Sequence, residues 1–497
     1  MVKYKMLNFD FCFKIEDDEC MKILYCYWMQ YNDVNSRGGG VQVYQRNIIN
    51  QLRVNKNTKI YTLSSGIAYD GKKECYVEKL KNDGDIERFQ IVNSPMLAPS
   101  KSSFYDQSMY LSDIQLKAVF RDFLQSLGGV DVIHFQSLEG FTLKVLELKE
   151  EFPQTKFIVS LHNYQCFCPQ VNLWKNDEEC CDDFHDGNDC LHCLGDYPST
   201  KSFKMYYLFD YYLRKIGLSS YSKPFLGKVK QIYGKLKPQT VKKQVDASVN
   251  NHEQATIFAD FRELNVSYIN QYIDVVLCVS RRVREIAVHM GINPKKAKVS
   301  YIGSAFAEHQ ASESQKSYSG GILKMAYMGY MRHDKGFYFL LDALEHMKPE
   351  LAKKVAIIIA ARFDDGEAVL RAKKLQKRLA DVKLYDGYTH EQIPDILEGV
   401  HLGVVPVLWE DNLPQVAIEF KAMGIPVLAS DRGGPSELSD SFYFVFKNGD
   451  SHDFEEKIEN FISTPDVMHD YWKKQHHLIT MKEHCSQLMQ VYNSYVR

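Results

Sequence analysis

A chain of 497 residues, 45% hydrophobic and 25% charged, has the composition of a globular protein with room for roughly two to four domains. Its 61 Lys and Arg against 63 Asp and Glu leave a formal charge of −2, which excludes a chain that grips nucleic acid through overall charge. No apolar run approaches the ~18 residues that cross a bilayer, and Met1–Cys20 is charged and mixed, without the apolar region of a signal peptide. The protein is therefore expected in the cytoplasm. There its 12 cysteines would be reduced thiols, or metal ligands where they cluster, and not disulfides.

Residues 1–20 read as an N-terminal extension. Met21–Met29 (MKILYCYWM) has the look of a buried parallel strand and begins the fold. A glycine turn follows at Asn35–Gly40 (NSRGGG), then a helix over Val41–Leu52 with Val41, Val43, Tyr44, Ile48 and Leu52 apolar. Further strands are predicted at Val130–Phe135, Phe157–Leu161 and Asp274–Val279. A second series runs through Lys324–Gly329, Val355–Ala361, Leu402–Val407 and Pro426–Ser430. Strands alternating with helical patterns, twice over, predict an α/β chain of two doubly wound, Rossmann-like domains. Ser304–Gly321 is polar, small and glycine-ended, the composition of a linker. The predicted division is 21–305 for the first domain, 306–466 for the second and 467–497 for a C-terminal helix. Residues 163–270 exceed any ordinary connection and read as an insertion in the first domain.

Four features carry chemistry. Gly38–Gly40, between strand and helix, lets backbone N–H groups approach a ligand at the positive end of a helix, or else is a tight turn only. It is neither GxGxxG nor a P-loop. In the insertion, six cysteines fall between Cys166 and Cys193. Cys168, Cys181, Cys190 and Cys193 are candidates for a structural zinc; the alternative is thiols packing a loop. Next, Lys201–Lys243 holds eleven Lys and Arg against one acid, Asp210, interleaved with Phe and Tyr. That composition suits the headgroup zone of an anionic membrane, or a solvated helical hairpin. No recognition motif accompanies it, so no nucleic-acid partner is expected. Last, a strand at Gly403–Val407 leads through Trp409–Asn412 to a helix from Leu413–Pro414, placing Asp411 and Glu419 about two turns apart, or ~12 Å. They could meet opposite ends of a long ligand lying across that helix N-terminus, or be a cap and a solvated acid.

Together these features resemble family 4 of the retaining glycosyltransferases, which have the two-Rossmann GT-B architecture with the domains facing a cleft. The resemblance runs over Met21–Ile462 apart from much of the insertion. In order it rests on Met21–Leu24 with Gly39–Gly40, Asp131–His134 (DVIH), Leu161–Tyr164 (LHNY) and Cys168–Pro169. It continues with Gly329–Gly336, Asp386–Tyr388, Asp411 to Glu419, Gly424–Val427 and Gly433–Glu437. It implies transfer of a sugar from a nucleotide-diphosphate sugar to a glycan or lipid-linked acceptor, with no metal needed, in assembly of a cell-surface polysaccharide; the basic aromatic segment would hold the enzyme at the inner face of the membrane. The same fold also serves nucleotide-sugar epimerases, phosphorylases and inactive sugar-binding scaffolds.

By the same resemblance Gly39 and Gly40 would face the diphosphate and His162 the transferred sugar. Lys335 would pair with the phosphates, Asp411 would contact the sugar and Glu419 the ribose. Gly329, Arg332, Asn412, Leu413 and Pro414 complete the expected donor contacts. The C-terminal helix would pack back on the first domain. The chain departs from the family at Asp411, where the family has Glu, and at Tyr330, where it has Arg; Arg332 is the expected substitute for that charge.

Overall fold

Apolar runs become strands buried on both faces, the mark of a parallel sheet covered on each side. The computed structural model describes residues 20–34, 37–194, 200–218, 251–309, 318–439, 442–473 and 478–494. In chain order come β1 (Met21–Tyr27), helix α1 (Gly39–Leu52), β2 (Thr58–Ala68), β3 (Tyr76–Lys79), β4 (Glu87–Val92), β5 (Val132–Phe135) and β6 (Lys156–Leu161). A small hairpin, β7 (Trp174–Lys175) with β8 (Glu179–Cys180), follows, then α2 (Thr200–Lys215), α3 (Asn251–Tyr272), β9 (Val275–Cys278) and β10 (Ala297–Val299). These build an eight-stranded sheet, ordered β10-β9-β6-β5-β1-β2-β4-β3, in which β3 and β4 pair antiparallel and the other pairs are parallel.

The second sheet is six-stranded and parallel, ordered β13-β12-β11-β14-β15-β16. Its strands are β11 (Leu323–Gly329), β12 (Val355–Ala361), β13 (Asp381–Asp386), β14 (Leu402–Val405), β15 (Val427–Ser430) and β16 (Val445–Phe446). Every residue of β12, VAIIIAA, is buried. Helix α4 (Gln415–Ala422) follows β14, and α5 (Met481–Asn493) ends the described chain. Strand order reverses between β1 and β5 in the first sheet and between β11 and β14 in the second. Ligands of such sheets sit outside the carboxyl ends of the strands at the reversal. Both reversals open onto one cleft, lined by Gly39 and Gly40 after β1 and by Gly329 and Val405 at the ends of β11 and β14.

The crossover from β6 to β9 spans residues 162–274. Its far end is not an appendage: Phe261, Ile269 and Tyr272 of α3 join the main core. Tyr207 of α2 packs with Tyr27, Trp28, Tyr69 and Leu97 over the ends of the central strands. The extension 1–19, the basic run from 219 to 243 and the linker residues 310–317 lie outside the described residues. Among those described, no helix is long and apolar enough to cross a membrane.

Helix α5 starts at a capping box, Thr480 with Glu483, and buries Met481, His484, Cys485, Leu488 and Tyr492. It lies on the first domain. Tyr492 Oη is 3.0 Å from Tyr25 Oη and 2.7 Å from His134 Nδ1, and His134 Nε2 is 2.8 Å from Ser160 Oγ. His484 Nε2 lies 2.6 Å from Tyr44 Oη. Lys156 donates to the carbonyls of Val491 and Tyr492 at 2.6 and 3.2 Å, a cation at a helix C-terminus. The histidine of the DVIH element is thus a strut under α5 and not a cleft residue.

Both struts are fully buried, and burial lowers His134 to about 3 and His484 to about 4 from the ordinary 6.5. The unfolded chain therefore binds these protons first. The stability they contribute is whole above about pH 6.5 and is lost as pH falls toward those values. At pH 5 the loss is roughly 2 kcal/mol per ring. Urea unfolding at pH 7 and pH 5 checks this: the drop should be clearly smaller in His484→Gln than in the wild type, and equal drops would contradict it.

Candidate functional site

The turn after β1 is held by three hydrogen bonds. Tyr27 Oη donates to the Gly38 carbonyl at 3.1 Å, Gly38 N donates to Gln42 Oε1 at 2.9 Å, and Gln42 Nε2 donates to the Asp33 carbonyl at 2.9 Å. Gly39 and Gly40 then open α1 on one wall of the cleft. From the opposite wall Gln415 Nε2 donates to the Gly40 carbonyl at 3.1 Å. The enclosed volume is about 540 Å³, within the roughly 300–1,000 Å³ of small-molecule sites.

His162, just past β6, lies 2.9 Å from Gln136 Oε1 through Nε2, and its ring meets Tyr44 edge-on at 4.7 Å. Burial pushes its imidazole down to about 3, so the ring is neutral at ordinary pH. His484 on α5 bonds Tyr44 from the other side, which links the returning helix to the cleft wall.

On the second domain Lys335 Nζ is 2.6 Å from Asp411 Oδ2 and 4.8 Å above the Trp409 ring. The loop that carries Asp411 is fastened from behind. Gly434 N donates to the Asp411 carbonyl at 2.7 Å. Gly433 adopts φ +68°, and a Cβ there would lie 2.2 Å from that carbonyl oxygen, so a side chain cannot be accommodated. Glu410, the next residue back, accepts a fork from Arg282 at 2.7 and 2.9 Å, a bond from Arg432 at 3.0 Å and one from Gly433 N at 3.0 Å. Against burial, which would raise it, Arg282 and Arg432 hold the Glu410 carboxyl below its usual range. Arg282 belongs to the first domain, so this ion pair joins the two. Glu437 adds to the seam, accepting from the backbone of Arg281 and Arg282 and from Tyr301 Oη at 2.7 Å.

Helix α4 begins at Gln415, with Pro414 at its N-cap. Glu419 is therefore one turn into the helix and not two, and Asp411 sits in the loop before it. The Glu419 side chain is 6% exposed, with Oε1 3.5 Å from His390 Nε2. That contact raises His390 above its ordinary value. Glu419 Oε2 and Asn412 Oδ1 are buried and make no hydrogen bond. Each such atom costs on the order of 1–3 kcal/mol.

The structure thus brings Gly39, Gly40, His162, Gly329, Lys335, Asp411–Pro414 and Glu419 to one cleft. Arg332 is not among its lining residues: it is 48% exposed and bonds Asp334 at 2.7 Å. The guanidinium that lines the cleft is instead Arg362, immediately after β12, with Tyr330, Tyr388 and His390 nearby. A sequence signal for Arg362 existed, its place at the carboxyl end of a buried parallel strand.

Cys168, Cys181, Cys190 and Cys193 do converge, together with Arg262, around a cavity of about 10 Å³. Burial pushes the Cys181 thiol up to about 12 and Cys190 to about 11, and raises Cys168. Arg262 Nη1 lies 3.5 Å from Cys190 Sγ, and Gln170 Nε2 is 2.9 Å from Cys193 Sγ. Among the described residues no three His, Cys, Asp or Glu side chains are grouped so as to hold a metal ion. In this structure Cys190 and Cys193 thus accept from a guanidinium and an amide, and the four sulfurs line one small cavity.

Residues 311–479 match the family model for glycosyl transferases group 1. No curated protein matches the chain by sequence. Among solved structures the chain is similar to HepE of Anabaena in complex with UDP and glucose, at 14% identity over 95% of this chain and 100% of that one, with a TM-score of 0.53. It is similar to the sucrose-phosphate synthase of Thermosynechococcus elongatus at 12% identity over 95% and 98%, TM-score 0.52. A glycosyltransferase of Rickettsia africae is similar at 12% identity over 95% and 98%, TM-score 0.53. Two Rossmann-like domains facing a cleft, with such neighbours along nearly the whole chain, are the GT-B fold.

Proposed function

We propose that the protein is a retaining glycosyltransferase of family 4, moving a sugar from a nucleotide-diphosphate sugar to a glycan or lipid-linked acceptor in cell-surface polysaccharide assembly. The observation that carries the reading is the buried, unpartnered Oε2 of Glu419 at the cleft wall, one helix turn from the α4 N-terminus and with Lys335 on the same side. A carboxylate oxygen in that position accepts from a ribose hydroxyl, while the ammonium and the free N–H groups of α4 and of Gly39–Gly40 face the diphosphate. The family match of the second domain and the UDP and glucose in the HepE structure support the same assignment.

Each group then has a task. Lys335 exchanges its bond to Asp411 for the β-phosphate and gains as charge develops on the leaving nucleotide. Asp411, released, accepts from a hydroxyl of the transferred sugar. Neutral His162 offers a hydrogen bond to the same sugar without adding charge. The acceptor hydroxyl attacks from the face that the nucleotide leaves, which preserves the anomeric configuration. Arg362 supplies the cleft's remaining cation. No metal takes part in this scheme.

Glu419→Ala is expected to weaken UDP binding by ~1–3 kcal/mol, whereas Asp411→Ala lowers turnover of the sugar nucleotide more than UDP affinity. Calorimetry with UDP beside initial rates in excess EDTA checks both. Equal losses in the two variants, or a rate abolished by EDTA, contradict the assignment. Nucleotide release must also depend on acceptor, which separates transfer from epimerisation, phosphorolysis and mere binding.

The acceptor side of the reading rests on α2. Met205, Phe209 and Tyr212, with Ile216 just past the helix end, recur at helical spacing and are 49–66% exposed, with Lys201, Lys204 and Lys215 on the same helix. Its one acid, Asp210, is buried. An exposed apolar stripe among cations suits an anionic bilayer surface, where a lipid-linked acceptor is presented. Wild-type protein should sediment with phosphatidylserine vesicles at low salt and be released at high salt. A Met205→Ser, Phe209→Ser, Ile216→Ser variant should stay in the supernatant while still using a soluble acceptor. Wild-type protein that ignores the vesicles would point to a soluble glycan acceptor.

A further inference from the structure

Besides its apolar packing, helix α2 reaches the glycine turn through a buried charge. Arg37 immediately precedes Gly38–Gly40, and its guanidinium is shared between two carboxylates. Nη2 lies 2.9 Å from Asp33 Oδ1, four residues earlier, and Nη1 lies 2.8 Å from Asp210 Oδ2 on α2, far along the chain. Asp210 is 0% exposed and also lies 3.1 Å from Arg214 Nε; its Oδ1 makes no hydrogen bond. Two arginines and two aspartates thus form a neutral, buried set that ties the crossover to the glycine turn. Helix α2 is itself anchored on the sheet, Tyr207 Oη donating to the Ala98 carbonyl and Tyr211 Oη to Glu78 at 3.2 Å. The tether therefore has a fixed far end.

Removing one member of such a set leaves a buried charge uncompensated, and the side chain that carries it moves. Here that side chain is Arg37, joined through one residue to the backbone that lines the cleft. A displacement near 1 Å in a positioning element costs up to ~10²-fold in a reaction. We propose that Asp210 is a positioning residue for the donor: through Arg37 it sets where Gly39 and Gly40 present their N–H groups, so that affinity for the diphosphate depends on a helix that does not line the cleft. The inference rests on the nucleotide-sugar reading above.

It differs from a purely structural role in being one-sided. Asp210→Asn, close in shape, should raise the UDP Kd and the donor KM together by about tenfold, with the acceptor KM unchanged, a split that general destabilisation would not produce. Arg37→Lys, which keeps the charge but loses the fork, should show the same donor-side loss if Asp210→Asn is poorly folded. The double variant should lose no more than either single change, because both break one linkage. Met205→Ala, at an exposed position on the same helix, should keep wild-type UDP affinity. Wild-type UDP affinity in folded Asp210→Asn and Arg37→Lys, or equal losses for donor and acceptor, overturns the inference alone. A wild-type protein that binds no nucleoside diphosphate overturns the reading beneath it as well.

Discussion

Glu410 accepts four hydrogen bonds, two from Arg282 on the first domain and two from Arg432 and Gly433 on its own, and the cleft takes its shape from that junction. A carboxylate buried to this degree is tolerable because it is fully paired, and its bonds fix the backbone on either side. On one side is Asp411, turned toward Lys335. On the other is Trp409, whose ring lies under the same amine. The Gly433–Gly434 pair closes behind the loop. Wall, ammonium and carboxylate are therefore set by one ion cluster that spans both domains.

A second linkage approaches from the other wall. Helix α5 follows the second domain, crosses to the first sheet and packs there through Leu488 and Tyr492. His484 meets Tyr44, and Tyr44 meets His162. A change in the angle between the domains would be felt at His162 through this chain of contacts, since packed aromatic rings transmit displacement and do not absorb it.

Much of this was legible as pattern. The continuous apolar runs corresponding to β1, β5, β6, β9, β11, β12, β14 and β15 announce themselves because parallel strands are buried on both faces. Strand β2 does not, although it lies second from the centre: Thr58, Thr62, Ser64 and Ser65 are buried there in place of aliphatic side chains, and Gln30 reaches in to bond Ser64 at 2.8 Å. Strands β10 and β16 are too short to show a period. Within the cleft, Gly39–Gly40, Asp411 and Glu419 could be named from spacing, because neighbours in sequence fix their placement, whereas Lys335 was named by the family resemblance. Arg362 carries only the general mark of ending a buried parallel strand, and its entry into the cleft depends on the register of β12 against β11. Arg332 misled for the opposite reason, being near Lys335 in sequence but paired with Asp334. The cysteines converge as their spacing suggests, and Arg262, from a helix far along the chain, lines the same cavity, which no local spacing could have shown.

The central claim is that the cleft between the glycine turn and α4 holds a nucleoside diphosphate. Gly40 has an ordinary backbone conformation, and a Cβ there would meet only the Gln415 side chain, at 3.5 Å, so a larger residue fits the fold while projecting into the cleft. The most direct test is calorimetric titration of UDP into the wild type and into Gly40→Leu, with thermal unfolding of both. The account predicts saturable binding to the wild type and none to the variant at unchanged Tm. Equal binding by the two proteins, or no binding by the wild type, would contradict it.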